Sequence, residues 1–350
     1  MTGENLIRID NGGDQTRFPW LGTYRLSRLE NQLLLDGLRH FQVFTDGQFP
    51  KDVARQSLLA QIAADKSIAR AAPGLNRLIE KVRADVVDGI YVTNLPTEKS
   101  ITYLLSLTLS SSIGSVFNYG SQNSGRLVME ITSDLSGPHD QRAELDWRTE
   151  GAWITRERRA EWICLIGVEN TPGSYTAYAP VKPVEQTLSS RAKTWLYSPS
   201  ASFRSPHSPA SDATTWSAPR AVLSRSPLDH TEIAWPGDAV RAARQDDAIG
   251  AGALAELSSE INRQHVRVSI DAGSFLAFNN LRGVHGQVTA SDGYCLCYKT
   301  YARHSLRALQ VKGESGPIFS LSEAGASRQD PADFQYPRAA ENEPDDRILA

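Results

Sequence analysis

Two short stretches far apart in the chain hold side chains that do chemistry when brought together. One is Leu145-Asp146-Trp147-Arg148-Thr149-Glu150-Gly151-Ala152-Trp153, and the other is Phe278-Asn279-Asn280-Leu281-Arg282-Gly283-Val284-His285-Gly286-Gln287. Glu150 offers a carboxylate and His285 an imidazole, a pair that can exchange a proton or share a metal ion. Arg148 and Glu150 stand two apart on a stretch that reads as strand, so the spacing puts both side chains on one face. If Glu150 and His285 converge, they make up two thirds of a two-histidine, one-carboxylate metal set. The remaining position holds Arg148, whose guanidinium keeps its proton and has no lone pair for a metal. Two arrangements follow. An Arg148–Glu150 ion pair fills the pocket, or a rebuilt metal site takes its third ligand from Asp146 on the same face, from His139 or His230, or from His207.

The elements that must position these groups are legible from periodicity. Arg25 to Phe41, Asp52 to Ala71 and Gly74 to Val87 carry apolar residues at helical spacing with charges opposite, and Glu98 to Ile113 continues the pattern after a strand that Pro96 stops. From Arg126 the chain changes to short β-rich runs: 126–132, 143–153, 162–168, 174–179, 221–225, 231–235, 266–270, 274–278 and 294–301. The run 266–270, a turn at Asp271-Ala272-Gly273 and the run 274–278 deliver His285 to a strand edge. A helix over Glu185 to Tyr197, then the Ser- and Pro-rich stretch 198–219, interrupts the strands as a lid would, and a second helix spans Ala248 to Asn262. Helices followed by many short strands predict an α+β fold with a jelly-roll core, flanking N-terminal helices and an inserted helix and lid. The expected organisation is a single domain over 1–310, helical over 20–115 and β over 116–303, followed by a flexible tail over 311–350.

Bulk properties narrow the partners. The 350 residues include 37 basic and 40 acidic side chains, and the net charge of -3 gives no reason to expect nucleic acid or an anionic membrane. Cys164, Cys295 and Cys297 are too few for a disulfide framework, and the Cys-x-Cys spacing suits neither a zinc ribbon nor a second pair, so buried thiols are expected. Met1 to Asp14 lacks a basic segment followed by an apolar one, and no run reaches the ~18 apolar residues of a membrane helix. A cytoplasmic protein with a small-molecule partner is the expectation.

The segment 118–153, from Asn118-Tyr119-Gly120-Ser121 through Gly125-Arg126-Leu127 to Arg148-Thr149-Glu150-Gly151-Ala152-Trp153, resembles the taurine dioxygenase/clavaminate synthase-like family of iron(II)- and 2-oxoglutarate-dependent oxygenases. The phrase Asn280-Leu281-Arg282-Gly283-Val284-His285-Gly286 resembles the distal metal motif of the same family. The order of elements agrees over 75–303, and the wording is nearest to the amino-acid hydroxylases of natural-product biosynthesis. The resemblance implies a jelly-roll oxygenase acting on an amino acid or amino-acid-derived small molecule. It implies iron(II) at Glu150 and His285, with Asp146 a possible third ligand, and 2-oxoglutarate at Thr176 and Lys299. It also implies substrate contacts from Gln122, Asn123 and Asp229.

Three departures fall on the chemistry. Arg148 stands where the family has its first histidine, Gln287 follows His285-Gly286 where arginine is usual, and 293–299 has no arginine for the distal carboxylate of 2-oxoglutarate, only Lys299. An oxygenase with an atypical metal site is therefore the first expectation. The alternatives are a metal-independent lyase, isomerase or cyclase that uses Arg148 with Glu150 or His285 as acid or base, and a catalytically silent binding protein.

Overall fold

The computed structural model describes residues 6–7, 18–43, 52–119, 126–132, 147–170, 175–204, 216–288, 294–307, 309 and 317–319. Gln122, Asn123, His139, Asp146, His207 and the expected tail apart from 317–319 lie outside the described residues, and within that exception Phe319 is buried in the core. The N-terminal part holds β1 (Leu6–Ile7), β2 (Leu21–Arg25), α1 (Arg28–Val43), α2 (Val53–Ala63), α3 (Ala69–Ala71), α4 (Pro73–Arg83), β3 (Gly89–Thr93) and α5 (Lys99–Ile113). Then come β4 (Ser115–Tyr119), β5 (Met129–Thr132), β6 (Trp162–Asn170), β7 (Tyr175–Pro180), α6 (Val181–Thr187), α7 (Ser190–Tyr197) and β8 (Ala201–Phe203). The last part holds β9 (Leu223–Arg225), β10 (Thr231–Ile233), β11 (Val240–Ala242), α8 (Ala248–Gln264), β12 (Val266–Ser269), β13 (Phe275–Asn279), β14 (Gly283–Val288), β15 (Cys295–Arg303) and β16 (Ile318–Phe319).

The chain is a mixed α and β structure organised on two sheets. The larger runs β16-β4-β15-β6-β13-β3-β2, with β5 also paired to β15, and the smaller runs β1-β12-β7-β14. Both faces of the larger sheet are covered, which is why its strands read as nearly continuous apolar runs. Alternation sorts the side chains: Phe275 and Ala277 of β13, with Cys164 and Ile166 of β6, pack against Leu34, Leu38, Leu75, Ile79 and Leu105 from α1, α4 and α5. Leu276, Phe278 and Ile163 face the other way and meet Tyr178, Val266 and Val268 of the smaller sheet. The far side of the smaller sheet packs Ala177, Ala179 and Val284 against Leu196, Leu257 and Ile261 of α7 and α8. Each fully buried leucine, isoleucine, valine or phenylalanine among these contributes roughly 1.5–3 kcal/mol.

Local signals explain the helices. Pro73 sits in the first turn of α4, where its missing N–H is not needed, and Leu75, Ile79 and Val82 place one apolar stripe on the core. Asp52 caps α2 by accepting from the Arg55 N–H. The inserted helix expected over 185–197 is two helices, α6 and α7, because Leu188 and Ser189 are extended and the Ser189 hydroxyl caps the second. All three cysteines are buried thiols. Among the described residues no helix is long and apolar enough to cross a membrane.

One expected strand does not form among its described residues. Within 147–153, the described part of the run expected over 143–153, Arg148 makes an isolated antiparallel bridge with His285, and the chain then turns at Gly151, whose φ of +68° suits glycine. The β pattern of that run was carried by aromatic and branched residues that are buried for another reason: Trp147 packs among the inserted helices and donates to Oδ1 of Asn262 at 2.7 Å.

Candidate active site

His285 is placed by β14, which pairs with β7 so that His285 lies opposite Tyr178. The turn before it is built by Arg282, a nearly buried guanidinium held by Asp85 and Asp88 at 2.8 Å each. Close approach is part of the same construction, since a Cβ on Gly283 would come within 2.3 Å of the Tyr178 ring. The imidazole packs on Phe278, with ring centroids 5.2 Å apart.

Glu150 is placed by its backbone. Its N–H donates to Oδ1 of Asn280 at 2.8 Å, while Nδ2 of Asn280 donates to the Glu150 carbonyl at 3.0 Å and to that of Ala160 at 2.9 Å. Asn280 is fully buried, so these bonds form without competition from water. One residue earlier, the Thr149 N–H donates to the Trp235 carbonyl, and its hydroxyl accepts from the Trp235 N–H at 3.1 Å. Arg148 exchanges both backbone bonds with His285, at 2.9 and 3.0 Å. The two distant sequence stretches therefore meet through the main chain.

The side chains then diverge from the sequence expectation. Trp147 and Thr149 are buried and Arg148 between them is exposed, on the same face of the bridge as His285, while Glu150 at the turn after it takes a different side-chain partner. The partner of Glu150 is Lys299 of β15, whose Nζ donates to Oε2 at 2.7 Å. The same oxygen lies 4.0 Å from Nε2 of His285. Lys299 also stands 4.9 Å from the centroid of the Tyr301 ring. An Arg148–Glu150 pair filling the pocket is corrected by this arrangement: the neutralising cation comes from 149 residues downstream.

Electrostatics follow from burial and these neighbours. Burial alone would raise the Glu150 carboxyl, but Lys299 foremost, with His285 and Arg148, holds it down at about 2. Burial, reinforced by the charges of Arg148 and Lys299 and opposed by Glu150, lowers His285 to about 3. At neutral pH the site is an ionised carboxylate, an ammonium and a neutral imidazole. Neither Glu150 nor His285 is matched to proton transfer near neutrality, which weakens an acid–base lyase or isomerase built on them.

The described residues do not fit a protein-held iron(II) centre. Among the described residues no group of three His, Cys, Asp or Glu side chains converges, and Oε2 of Glu150 is engaged by an ammonium. Among the described residues the buried Nδ1 of His285 meets no hydrogen-bond partner, whereas a metal-bound histidine donates from its second nitrogen to a carboxylate or carbonyl. What these groups do supply is a buried charge pair that a ligand bearing both signs can enter by exchanging partners.

The other expected site residues fall elsewhere. Thr176 of β7 is buried and lines a small inter-sheet cavity of about 20 Å³ with Ile131, Leu165, Asn170, Cys295 and Cys297, room for about one water. Asp229, with φ +60°, is exposed at the tip of the β9–β10 hairpin and lines a surface cleft with Glu185, Lys193 and Arg225. The acidic residue of that hairpin that is buried is Glu232, held by Arg156 at 2.5 and 2.6 Å. His230 lines the same surface cleft as Asp229. Asn280 and Arg282, which position the site, carry no chemical signal in sequence beyond standing within the phrase that ends at His285.

No family model matches the chain, and no curated protein matches it. Among solved structures it is similar to asparagine oxygenase in complex with Fe(II), 2S,3S-3-hydroxyasparagine and succinate, at 18% identity and a TM-score of 0.69 over 87% of this chain and 100% of that one. It is similar also to the non-haem iron oxygenase OrfP in complex with Fe, succinate and (3S)-hydroxy-L-Arg, at 18% identity and a TM-score of 0.69 over 85% of this chain and 99% of that one. OrfP in complex with Fe and alpha-ketoglutaric acid matches at 19% and 0.69 over the same shares. The chain thus has the fold of these non-haem iron oxygenases across nearly their whole length.

Proposed function

We propose that this chain is an enzyme of the taurine dioxygenase/clavaminate synthase-like family, an oxidoreductase lineage that uses iron(II) and 2-oxoglutarate, and that its ligand is an amino acid or an amino-acid-derived small molecule of a biosynthetic pathway. Its two sheets then correspond to the double-stranded β-helix of that family. The observation that carries the reading is the meeting of Glu150 and His285, whose residues match the two family motifs, within 4.0 Å of each other at the junction of the 147–154 turn with β14. The likeness in fold to structures that carry an amino-acid product, hydroxyasparagine or hydroxyarginine, supports the ligand class. The charge pair Lys299–Glu150 supports it independently, because a zwitterion supplies a carboxylate for the ammonium and an ammonium for the carboxylate. Arg148, exposed beside the pair, adds a second cation for a ligand carboxylate.

The test is calorimetric titration of the full-length chain with a panel of free L-amino acids, first alone and then with 2-oxoglutarate present. Binding of one chemical subset, lost in Glu150→Gln and weakened in Arg148→Ala, is the expected result. If no amino acid binds, or if binding ignores both substitutions, the assignment of this pocket is wrong.

A further inference from the structure

We propose that Lys299 is the resident cation of this pocket, occupying the electrostatic place of the divalent metal in the family's sites, so that the chain binds its ligand without a metal ion at Glu150 and His285. The inference rests on the pocket assignment made above and goes beyond it. Its first support is atomic: the carboxylate oxygen of Glu150 that lies 4.0 Å from Nε2 of His285 is the one that Lys299 engages at 2.7 Å. A dication entering there must displace the ammonium, and both partners of the pair are largely enclosed, at 13% and 17% side-chain exposure. Displacing one member of a buried pair leaves an uncompensated charge behind.

Two independent residues add to this. Arg148 occupies the position of a third ligand in the motif and contributes repulsion instead of a lone pair. Among the described residues His285 lacks the outer hydrogen bond at Nδ1 that orients a metal-ligating imidazole. Each change on its own would weaken a metal centre. Together they replace it with a different charge arrangement, in which the Lys299 ammonium stands against the Glu150 carboxylate. That ammonium favours a ligand that brings at least one carboxylate, and an α-amino acid or 2-oxo acid meets that requirement.

Manganese(II) alone serves as the probe, because it replaces iron(II) at carboxylate–imidazole sites without air oxidation. The full-length chain, stripped with chelator, is dialysed against manganese(II) and its metal content measured beside Glu150→Gln, Arg148→His and Arg148→His/Lys299→Met. The wild type should retain no stoichiometric metal, Arg148→His should retain little, and the double variant, with the histidine restored and Glu150 released, should retain an equivalent. Stoichiometric manganese in the wild type that disappears in Glu150→Gln overturns the proposal, as does Arg148→His retaining as much as the double variant. The wild-type measurement decides even if the double variant does not fold. Metal in the wild type leaves the pocket assignment standing, whereas failure of the amino-acid titration ends that assignment whatever the metal content.

Discussion

Replacing Lys299 by methionine keeps the aliphatic stem and removes the ammonium that Glu150 relies on. Removing one partner of a buried ion pair costs about 3–5 kcal/mol, because the remaining charge is left desolvated. The 2.7 Å bond and the enclosure of both side chains put this pair in that class, not among surface pairs worth under ~1 kcal/mol. For a chain of 350 residues the unfolding entropy is about 0.7 kcal/mol/K, so Lys299→Met should lower Tm by about 4–7 °C at pH 7. The penalty should shrink in acid, since Glu150 without Lys299 is left mainly to burial, which raises its pKa and lets it protonate. Adding Glu150→Gln should restore most of the loss, giving a double-mutant coupling of about 2 kcal/mol or more. Differential scanning calorimetry of the four proteins reads all of this. If Lys299→Met melts within a degree of the wild type, or if the two substitutions simply add, Lys299 does not neutralise Glu150 and the electrostatic account of the pocket is wrong.

Further perturbations test the supporting construction. Asn280→Ala removes three buried bonds, two of them to Glu150, and should cost about 3 kcal/mol or more in denaturant unfolding while ligand affinity falls further than stability does. Gly283→Ala drives a methyl group into the Tyr178 ring and should cost about 1–3 kcal/mol, with Tyr178→Phe giving no relief because the ring itself is in the way. Stability should be full above about pH 6.5 and fall as pH drops toward 3, because unfolded His285 takes up a proton near its usual 6.5 that the folded protein refuses until about 3. Glu150 acts in the same direction below its usual 4.5, down to about 2, so His285→Asn should flatten the melting profile above pH 4.5 and leave the steeper part below it. Arg148→Ala should leave Tm within about 1 °C, as for an exposed side chain whose role in the bridge is played by its backbone.

Much of the architecture was legible in one dimension. Helical spacing located α1, α4, α5 and α8, and period-two runs located β6, β7, β12, β13 and β15, because these elements bury most of their apolar side chains and the pattern records that burial. Shorter strands were lost. β4 follows α5 after Gly114 alone, so its apolar residues read as a continuation of the helix, and β8 and β11 are three residues each, too short for a period to register. The Lys299 partnership was invisible for another reason. Lysine in a β run reads as a solvated edge, and only the enclosure of β15 between β5, β6 and β4 makes its ammonium seek a carboxylate.

By itself the sequence pointed to Glu150 and His285 sharing one site, through the resemblance of the phrases around them to the two metal motifs of one family. It also determined that Arg148 cannot ligate a metal, a property of the guanidinium that no fold alters. The tertiary structure alone decided which charge Glu150 meets. Spacing made Arg148 the candidate partner of Glu150, but spacing records only neighbours along one run, which turns at Gly151, and not the strands packed against it. Once the carboxylate is carried inward, the nearest cation is the one whose strand passes beneath it, and pairing with Lys299 is enforced by the cost of burying either charge alone.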